Sequence, residues 1–388
     1  MTARAAAFAL LLGNFVIGLS VLAPAGMIDP LAADLGVGVS QTALLITFGA
    51  IVLCIGSPLV AWGVSTFDRR LLLATTMAAL AICHAASALS PSFGFLMAVR
   101  LVEMGFAAIF TPQAAGAIAM MVPERERPGA ISFVFLGWSL AAAAGLPLVA
   151  WVAAQFGWRE VHWALAIVAA LAAVSVALAL PRNLRGVAMS LASWGSLLRS
   201  PFVLIMMAVT ILSATGQFTI FTFFGPLLAR TVAASATEIA ICFAAFGVAG
   251  FLGNVIATRI VGVIGGLNTS LIFFGAMLAG ASIWAFATGS VAMALVASVI
   301  WGLGFASSNS MQQARLATAA PALAGAAIAL NSSSIYIGQA AGSALGGVLF
   351  DRGLYVVMGW VGVVFLVVTL ALVFLTGRLG STAMPAAT

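Results

Sequence analysis

The chain has 388 residues, of which 64% are hydrophobic and 6% are charged, and its mean hydropathy is +1.22. Soluble domains carry about 25% charged residues, so this composition excludes a soluble protein and indicates an integral membrane protein. The net charge is +6, and every basic residue is an arginine; because the arginines are spread along the chain, we expect no nucleic-acid partner. The three cysteines are isolated and the chain has two histidines, so we expect no disulfide framework, metal site or cofactor.

Apolar segments long enough to cross a bilayer recur along the chain. A helix needs roughly 20 apolar residues to cross about 30 Å of hydrocarbon. The pattern predicts twelve spans, at residues 5–28, 43–62, 71–89, 95–121, 130–153, 161–180, 202–227, 239–257, 270–287, 291–311, 326–349 and 354–375. We therefore expect an all-α membrane protein with six-helix bundles at residues 1–180 and 201–388, joined by a cytoplasmic linker at 181–200.

The arginines predict the orientation of these spans, because cytoplasmic loops carry an excess of positive charge. With the N-terminus inside, three arginines fall outside, namely Arg159, Arg230 and Arg352. Eleven fall on the cytoplasmic side, namely Arg4, Arg69, Arg70, Arg125, Arg127, Arg182, Arg185, Arg199, Arg259, Arg315 and Arg378. Both termini are thus expected in the cytoplasm.

Two short segments recur at nearly one offset. Residues 105–113 begin Gly-Phe-Ala-Ala and end in Gln, and residues 304–312 begin Gly-Phe-Ala-Ser and end in Gln. The Ala-Ala-Gly of residues 143–145 recurs at residues 340–342. Each match joins a span to the one six further on, which favours duplicated halves related by an axis along the membrane normal.

Arg100 and Glu103 are the charged residues inside a predicted span. An ionised group at mid-membrane costs roughly 2.5 to 3.5 kcal/mol on insertion scales, and such groups normally face a cavity or each other. Their spacing of three places them on one helix face, where they can pair. A carboxylate beside a fixed cation can change its proton affinity as water reaches it from either side. A static pair that fixes helix packing is the alternative.

The sequence resembles the Major Facilitator Superfamily, and within it the proton-linked drug, sugar and purine efflux branch that includes arabinose-efflux-like permeases. Residues 26–37 are similar to the end of that family's first span. Residues 100–113 resemble its Arg-containing fourth-span motif, although the expected Gly is displaced to position 105. Gly-Leu-Pro at 145–147 with Gly-Trp-Arg at 157–159 resembles the antiporter signature, and residues 342–351 resemble the eleventh span.

This resemblance implies a rocker-switch transporter that exports a small solute in exchange for protons. Glu103 and Arg100 are the expected coupling residues, with Asp29 next, although a loop position suits Asp29 better. Spans 1, 4, 7 and 10 line the cavity in the family, and span 11 supplies second choices. The expected solute-binding residues are Asn14, Gln113, Gln217 and Asn309, followed by Asn331, Tyr336 and Gln339.

Gating residues are expected at two places. The family carries an acid, a Gly and a basic pair after its second span; here the pair is Arg69-Arg70, the Gly is replaced by Asp68, and Ser65 stands at the acid position. Asp68 either replaces the acid of this inner latch or leaves the gate weaker. Gly145 and Pro147 predict a bend in the fifth span, because proline removes a backbone donor.

The two histidines and the choice between transporter, sensor and enzyme remain to be considered. His84 and His162 fall near outer helix ends, which is typical of solvated interfacial histidines. Alternatives to proton antiport are an uncoupled facilitator, a proton-coupled importer or a non-transporting sensor. No HExxH or GxSxG motif supports an enzyme. We expect a monomer in a bacterial cytoplasmic membrane, with the bilayer, protons and a small solute as its partners.

Overall fold

The computed structural model describes residues 3–64, 66–185, 199–286, 289–319 and 324–380, and the chain divides into two compact units, Met1–Met189 and Ser190–Thr388. The described residues are helical almost throughout, with one isolated β-bridge between Asp68 and Arg185. Ser65 and most of the expected linker at 181–200 lie outside the described residues.

Among its described residues, the first unit contains eight α-helices. They are α1 (Ala3–Gly26), α2 (Ile28–Leu35), α3 (Val39–Gly63), α4 (Arg69–Ala88), α5 (Phe93–Met121), α6 (Arg127–Leu140), α7 (Leu146–Gln155) and α8 (Trp158–Ala179). A 3₁₀ turn at Glu124–Glu126 precedes α6, and a π-helical turn at Ala141–Gly145 joins α6 to α7. The predicted fifth span is therefore one continuous path made of α6, the π turn and α7.

In the part of the second unit that the structure describes, there are six α-helices. They are α9 (Pro201–Phe221), α10 (Phe224–Thr231), α11 (Ala236–Phe286), α12 (Val291–Ala319), α13 (Ala324–Asp351) and α14 (Tyr355–Gly380). Helix α11 has 51 residues, and Gly265 interrupts it with φ 80° and ψ 161°. That left-handed region strains any residue with a Cβ atom, so a glycine here is what allows the chain to turn between two helical halves.

Ten helices among the described residues are long and apolar enough to cross a membrane. The protein is therefore a multi-pass membrane protein. At a rise of 1.5 Å per residue, the 51 residues of α11 would extend about 75 Å, more than twice the thickness of the hydrocarbon core. The count of twelve spans stays a prediction.

Close helix packing in the second unit depends on glycines spaced four residues apart. Gly338, Gly342 and Gly346 lie on one face of α13, directly against α9. A Cβ atom at Gly342 would overlap the carbonyl oxygen of Thr215. Small residues at this spacing let helix backbones approach in a membrane, where the apolar lipid tails provide no hydrophobic drive for association.

The repeated Ala-Ala-Gly segment has the same packing role in each unit. Gly145 lies against Leu19 of α1, the first long helix of its unit, and Gly342 lies against α9, the first long helix of the other. The sequence repeat therefore corresponds to equivalent contacts within the two units.

Candidate functional site

Arg100 lies inside the first unit and joins three helices. Its guanidinium donates to the carbonyl oxygen of Ser20 through Nη1, to that of Val21 through Nη2 at 3.3 Å, and to that of Leu45 through Nε at 3.3 Å. Gly49 leaves room for it, since a Cβ atom there would lie 3.3 Å from Nε. A buried cation from α5 thus holds backbone of α1 and α3, and the planar fork of donors that only arginine carries makes this possible.

Glu103 pairs with Arg100, as the spacing of three predicts. The Nη1 atom of Arg100 lies 3.2 Å from Oε2 of Glu103, and the carboxylate is fully buried. The other oxygen, Oε1, lies 3.4 Å from Nε2 of His84, but this contact is not a hydrogen bond, and Oε1 has no hydrogen-bond partner. One oxygen of this buried carboxylate therefore faces an imidazole and remains available to take a proton.

The expectation for the two histidines was wrong. His84 on α4 and His162 on α8 are buried, and their Nδ1 atoms lie 3.2 Å apart. The Nε2 atom of His84 is 2.8 Å from Oγ of Ser20. A position near a span end gave no indication of the helix face, and these side chains point into the bundle instead of toward the interface.

A second polar group lies where α8 begins. Trp158 donates from Nε1 to Oδ2 of Asp34 at 3.0 Å, and Arg159 pairs with the same oxygen. Arg159 also donates to the carbonyl oxygen of Ser90 at 3.2 Å. The hydrogen bond from Arg159, with that from Trp158, holds the pKa of Asp34 below its ordinary value of 3.8. Asp34 thus ties α2 to α8. The Trp158 ring also stands perpendicular to the His162 imidazole at 5.8 Å.

Asp29 lies in the first turn of α2 and is half-buried. A carboxylate in a first helical turn is stabilised by the unpaired amides and dipole of the helix end. Its predicted coupling role stays a prediction.

The amide residues predicted in the first unit differ in setting. Asn14 is fully buried; its Nδ2 donates to the carbonyl oxygen of Val134 at 3.1 Å, and its Oδ1 accepts from Oγ1 of Thr111 at 2.7 Å. Trp138 donates to the same threonine oxygen. Asn14 therefore links α1, α5 and α6. Gln113 lies on α5 and is also buried.

A related network occurs in the second unit. Thr210 of α9 donates to Oδ1 of Asn331 at 2.7 Å, and Nδ2 of Asn331 donates to Oδ1 of Asn309 at 3.2 Å. Asn331 is fully buried, whereas Asn309 is half-buried. Two of the predicted solute-binding residues, on α12 and α13, are thus brought into contact.

Gln217 differs from these residues because one of its polar atoms lacks a partner. Its Nε2 donates to Oγ of Ser213 at 3.0 Å, while its buried Oε1 has no hydrogen-bond partner. An unpaired buried acceptor like this Oε1 atom is costly, and it is typical of a position that a ligand or water completes.

The other two predicted residues lie on α13, where Tyr336 is half-buried and Gln339 is buried.

The predicted gating residues have local structural roles. Asp68 caps α4 by accepting from the backbone N–H of Leu71 at 3.0 Å, and the Arg69 backbone donates to the carbonyl oxygen of Leu184. Arg69 is buried and donates from Nη1 to the Val64 carbonyl oxygen, and Arg70 is half-buried. Whether Asp68 acts as a latch stays a prediction.

Gly145 and Pro147 lie at the irregular part of the fifth span. Gly145 ends the π turn, and Pro147 is in the first turn of α7. Prolines and π turns are both common causes of bends in helices. Their role in gating stays a prediction.

Sequence reasoning did not anticipate the contacts of one half-buried cation. Arg315 of α12, assigned to the cytoplasmic side, donates to Oε1 of Gln312 at 3.1 Å and to Oγ1 of Thr376 at 2.5 Å. The Gln312–Arg315 spacing of three was the available signal. In the part of the chain that the structure describes, no three His, Cys, Asp or Glu side chains lie together as ligands for a metal ion.

Comparison with known proteins identifies the family. The sequence profile described as Major Facilitator Superfamily matches residues 10–343 and 206–385. The chain belongs to the Major Facilitator Superfamily. It is similar to the inner membrane transport protein YdhP of Escherichia coli K12, at 26% identity over 95% of each chain. It is also similar to a chloramphenicol resistance protein of Streptomyces lividans, at 31% over 63% of each, and to a probable sugar efflux transporter of Mannheimia succiniciproducens, at 26% over 90% of this chain and 88% of the relative.

Solved structures show the same fold. A bacterial homolog of the human lysosomal transporter Spinster, in an inward-facing and occupied conformation, covers 98% of both chains with a TM-score of 0.71 and 19% identity. The predicted family resemblance is thus confirmed, and the chain is a membrane transporter of this superfamily.

Proposed function

We propose that the protein is a secondary active transporter that exports a small organic solute in exchange for protons by alternating access. The observation that carries this proposal is the buried carboxylate of Glu103, paired with Arg100 through one oxygen and facing His84 through the other. Buried ionisable residues in membrane spans commonly belong to proton or substrate pathways.

The Arg100–Glu103 pair can couple protonation to conformation. When Glu103 is ionised, its charge compensates a cation that holds α1, α3 and α5 together. When Glu103 takes a proton, the cation loses this compensation and the free energy of the junction changes. A ligand shifts a conformational equilibrium by its difference in affinity for the two states, and the proton is such a ligand.

The solute is expected to carry hydrogen-bond donors. The unpaired Oε1 of Gln217 requires a donor, and the half-buried Asn309 and Tyr336 add further polar groups within the same unit. Relatives named for chloramphenicol resistance and sugar efflux point to uncharged solutes that carry hydroxyl groups. We propose a solute of this class.

The remaining features of the proposal concern the membrane. Counting α11 as two spans on either side of Gly265 and adding the 28-residue α13 to the other helices gives twelve spans. The excess of arginine on alternate connections supports cytoplasmic termini, and the YdhP relative supports an inner membrane. We propose a monomer, since each unit buries its own polar networks.

The proposal is tested by flux in proteoliposomes. The solutes are radiolabelled chloramphenicol and a panel of monosaccharides, measured with and without an imposed pH gradient. Antiport predicts that solute moves against its gradient when protons move in the opposite direction. Solute that moves only down its own gradient at every pH difference would favour the uncoupled facilitator, and movement in the same direction as protons would favour the importer.

A further inference from the structure

The two histidines form a continuous series with Glu103. The Nε2 atom of His84 lies 3.4 Å from Oε1 of Glu103, and the Nδ1 atoms of His84 and His162 lie 3.2 Å apart. They are the only histidines in the chain. All three side chains are buried, with Glu103 0%, His84 1% and His162 5% exposed.

We propose that His162 and His84 relay protons between Glu103 and the end of the bundle where α8 begins. This inference rests on the proposed function, in which Glu103 carries the coupling proton. His162 lies one helical turn from Trp158, and Trp158 bonds to Asp34, whose side chain is 45% exposed. The series therefore runs from a fully buried carboxylate toward the end of the bundle where the exposed Asp34 lies.

Each relay step moves one proton along an existing contact. A bond between two Nδ1 atoms requires that one carries hydrogen and the other accepts, so the two neutral rings hold opposite tautomers. With Glu103 ionised, His84 carries its proton on Nε2, which lies 2.8 Å from Oγ of Ser20 and 3.4 Å from Oε1 of Glu103, and His162 carries its proton on Nδ1.

A proton taken from water at Nε2 of His162 then moves the series by one place. The Nδ1 proton of His162 passes to Nδ1 of His84, and the Nε2 proton of His84 passes to Oε1 of Glu103. The result is a neutral Glu103 and two neutral rings with exchanged tautomers, so one proton enters and one carboxylate is neutralised. Release runs through the same atoms in reverse.

The surrounding groups favour passing the proton on. Arg100 of α5 faces the series from beyond Glu103, Ser20 of α1 contacts Nε2 of His84, and the titratable Cys83 lies beside His84 on α4. A fixed cation on Arg100 disfavours a second cation on the rings, whereas Glu103 offers a negative charge that accepts the proton.

The first test measures tautomers directly. Full-length protein labelled with ¹⁵N only at histidine contributes two imidazoles to the spectrum, and His84→Asn and His162→Asn assign them. We expect one ring protonated on Nδ1 and the other on Nε2, with both rings exchanging tautomers together as the pH is lowered. Two rings in the same tautomer, or tautomers that do not exchange in step, would overturn the relay.

The second test separates proton transfer from folding. In His162→Asn, the amide can still donate to Nδ1 of His84 but passes no proton through. The solute used is whichever of chloramphenicol and the monosaccharides the wild-type protein exports. We expect the rate of solute–solute exchange to stay within twofold of wild type, while the rate of pH-driven efflux falls roughly tenfold or more. Ser87→Ala, which removes a buried hydroxyl one turn from His84, is the control and should leave both rates unchanged.

Glu103→Gln distinguishes the two proposals. If it abolishes pH-driven efflux while His162→Asn does not slow it, the relay is wrong and the proposed function stands. If Glu103→Gln leaves pH-driven efflux intact, the coupling role of Glu103 is wrong and the relay is wrong with it. A His162→Asn protein that loses exchange as well as efflux would also contradict the relay, because that result marks a packing role.

Discussion

Replacing Arg100 by alanine should destabilise the first unit mainly by leaving Glu103 unpaired. The substitution removes hydrogen bonds to three carbonyl oxygens, on Ser20, Val21 and Leu45. Interhelical hydrogen bonds in membranes are worth about 0.6 kcal/mol each, so these account for about 2 kcal/mol. Removing one partner of a buried ion pair costs about 3 to 5 kcal/mol, because the other charge is left uncompensated.

A double-mutant cycle separates these contributions. Glu103→Gln removes the charge that Arg100→Ala leaves unpaired, so the double variant should cost only about 2 kcal/mol of unfolding free energy, less than Arg100→Ala alone. The assay is reversible denaturant unfolding in micelles, followed by circular dichroism. Arg182→Ala, at an exposed position, is the control and should change stability by less than about 0.5 kcal/mol. If the cost of the double variant equals the sum of the single variants, the pair does not couple and the reasoning fails.

Three further results are expected. Gly342→Ala should separate α13 from α9 and lower the unfolding midpoint, whereas Gly105→Ala, with open space around it, should not; equal midpoints would contradict the close packing. Asp34→Asn should cost less than about 1 kcal/mol, because the ion pair is exposed. The pKa of Asp34 is depressed in the folded state, so the stability that Asp34 contributes should be present above pH 3.8 and be lost as pH falls through the depressed pKa. Unfolding measured as a function of pH should show this loss in the wild-type protein and not in Asp34→Asn. Gln217→Leu should weaken binding of the exported solute about tenfold by equilibrium dialysis if Oε1 accepts a solute donor, and unchanged affinity would place the solute elsewhere.

Ten long apolar helices could be predicted from sequence because lipid imposes a simple requirement of length and apolarity. The Arg100–Glu103 pair was predictable for a related reason, since spacing along one helix fixes which side chains share a face. The two halves of α11 were expected as separate spans, and Gly265 marks where they separate. These inferences need only local information.

The histidine pair could not be predicted in this way. His84 and His162 are 78 residues apart, and their contact depends on how α4 rotates against α8. Apolar spans of nearly uniform hydrophobicity carry no periodic signal for that rotation, so a position near a helix end was mistaken for exposure. Asn14 illustrates the same limit, because its hydrogen bonds to Val134 and Thr111 depend on three helices meeting.

The central claim is that Glu103 exchanges a proton for solute, and proton release on binding tests it most directly. Purified protein in weakly buffered detergent solution is mixed with the exported panel solute, and a pH-sensitive dye reports released protons. Across a series of pH values, the account predicts a pH at which about one proton is released per solute bound, and no release from Glu103→Gln, which still binds the solute. Binding without release in the wild-type protein at any pH, or equal release from Glu103→Gln, would contradict it.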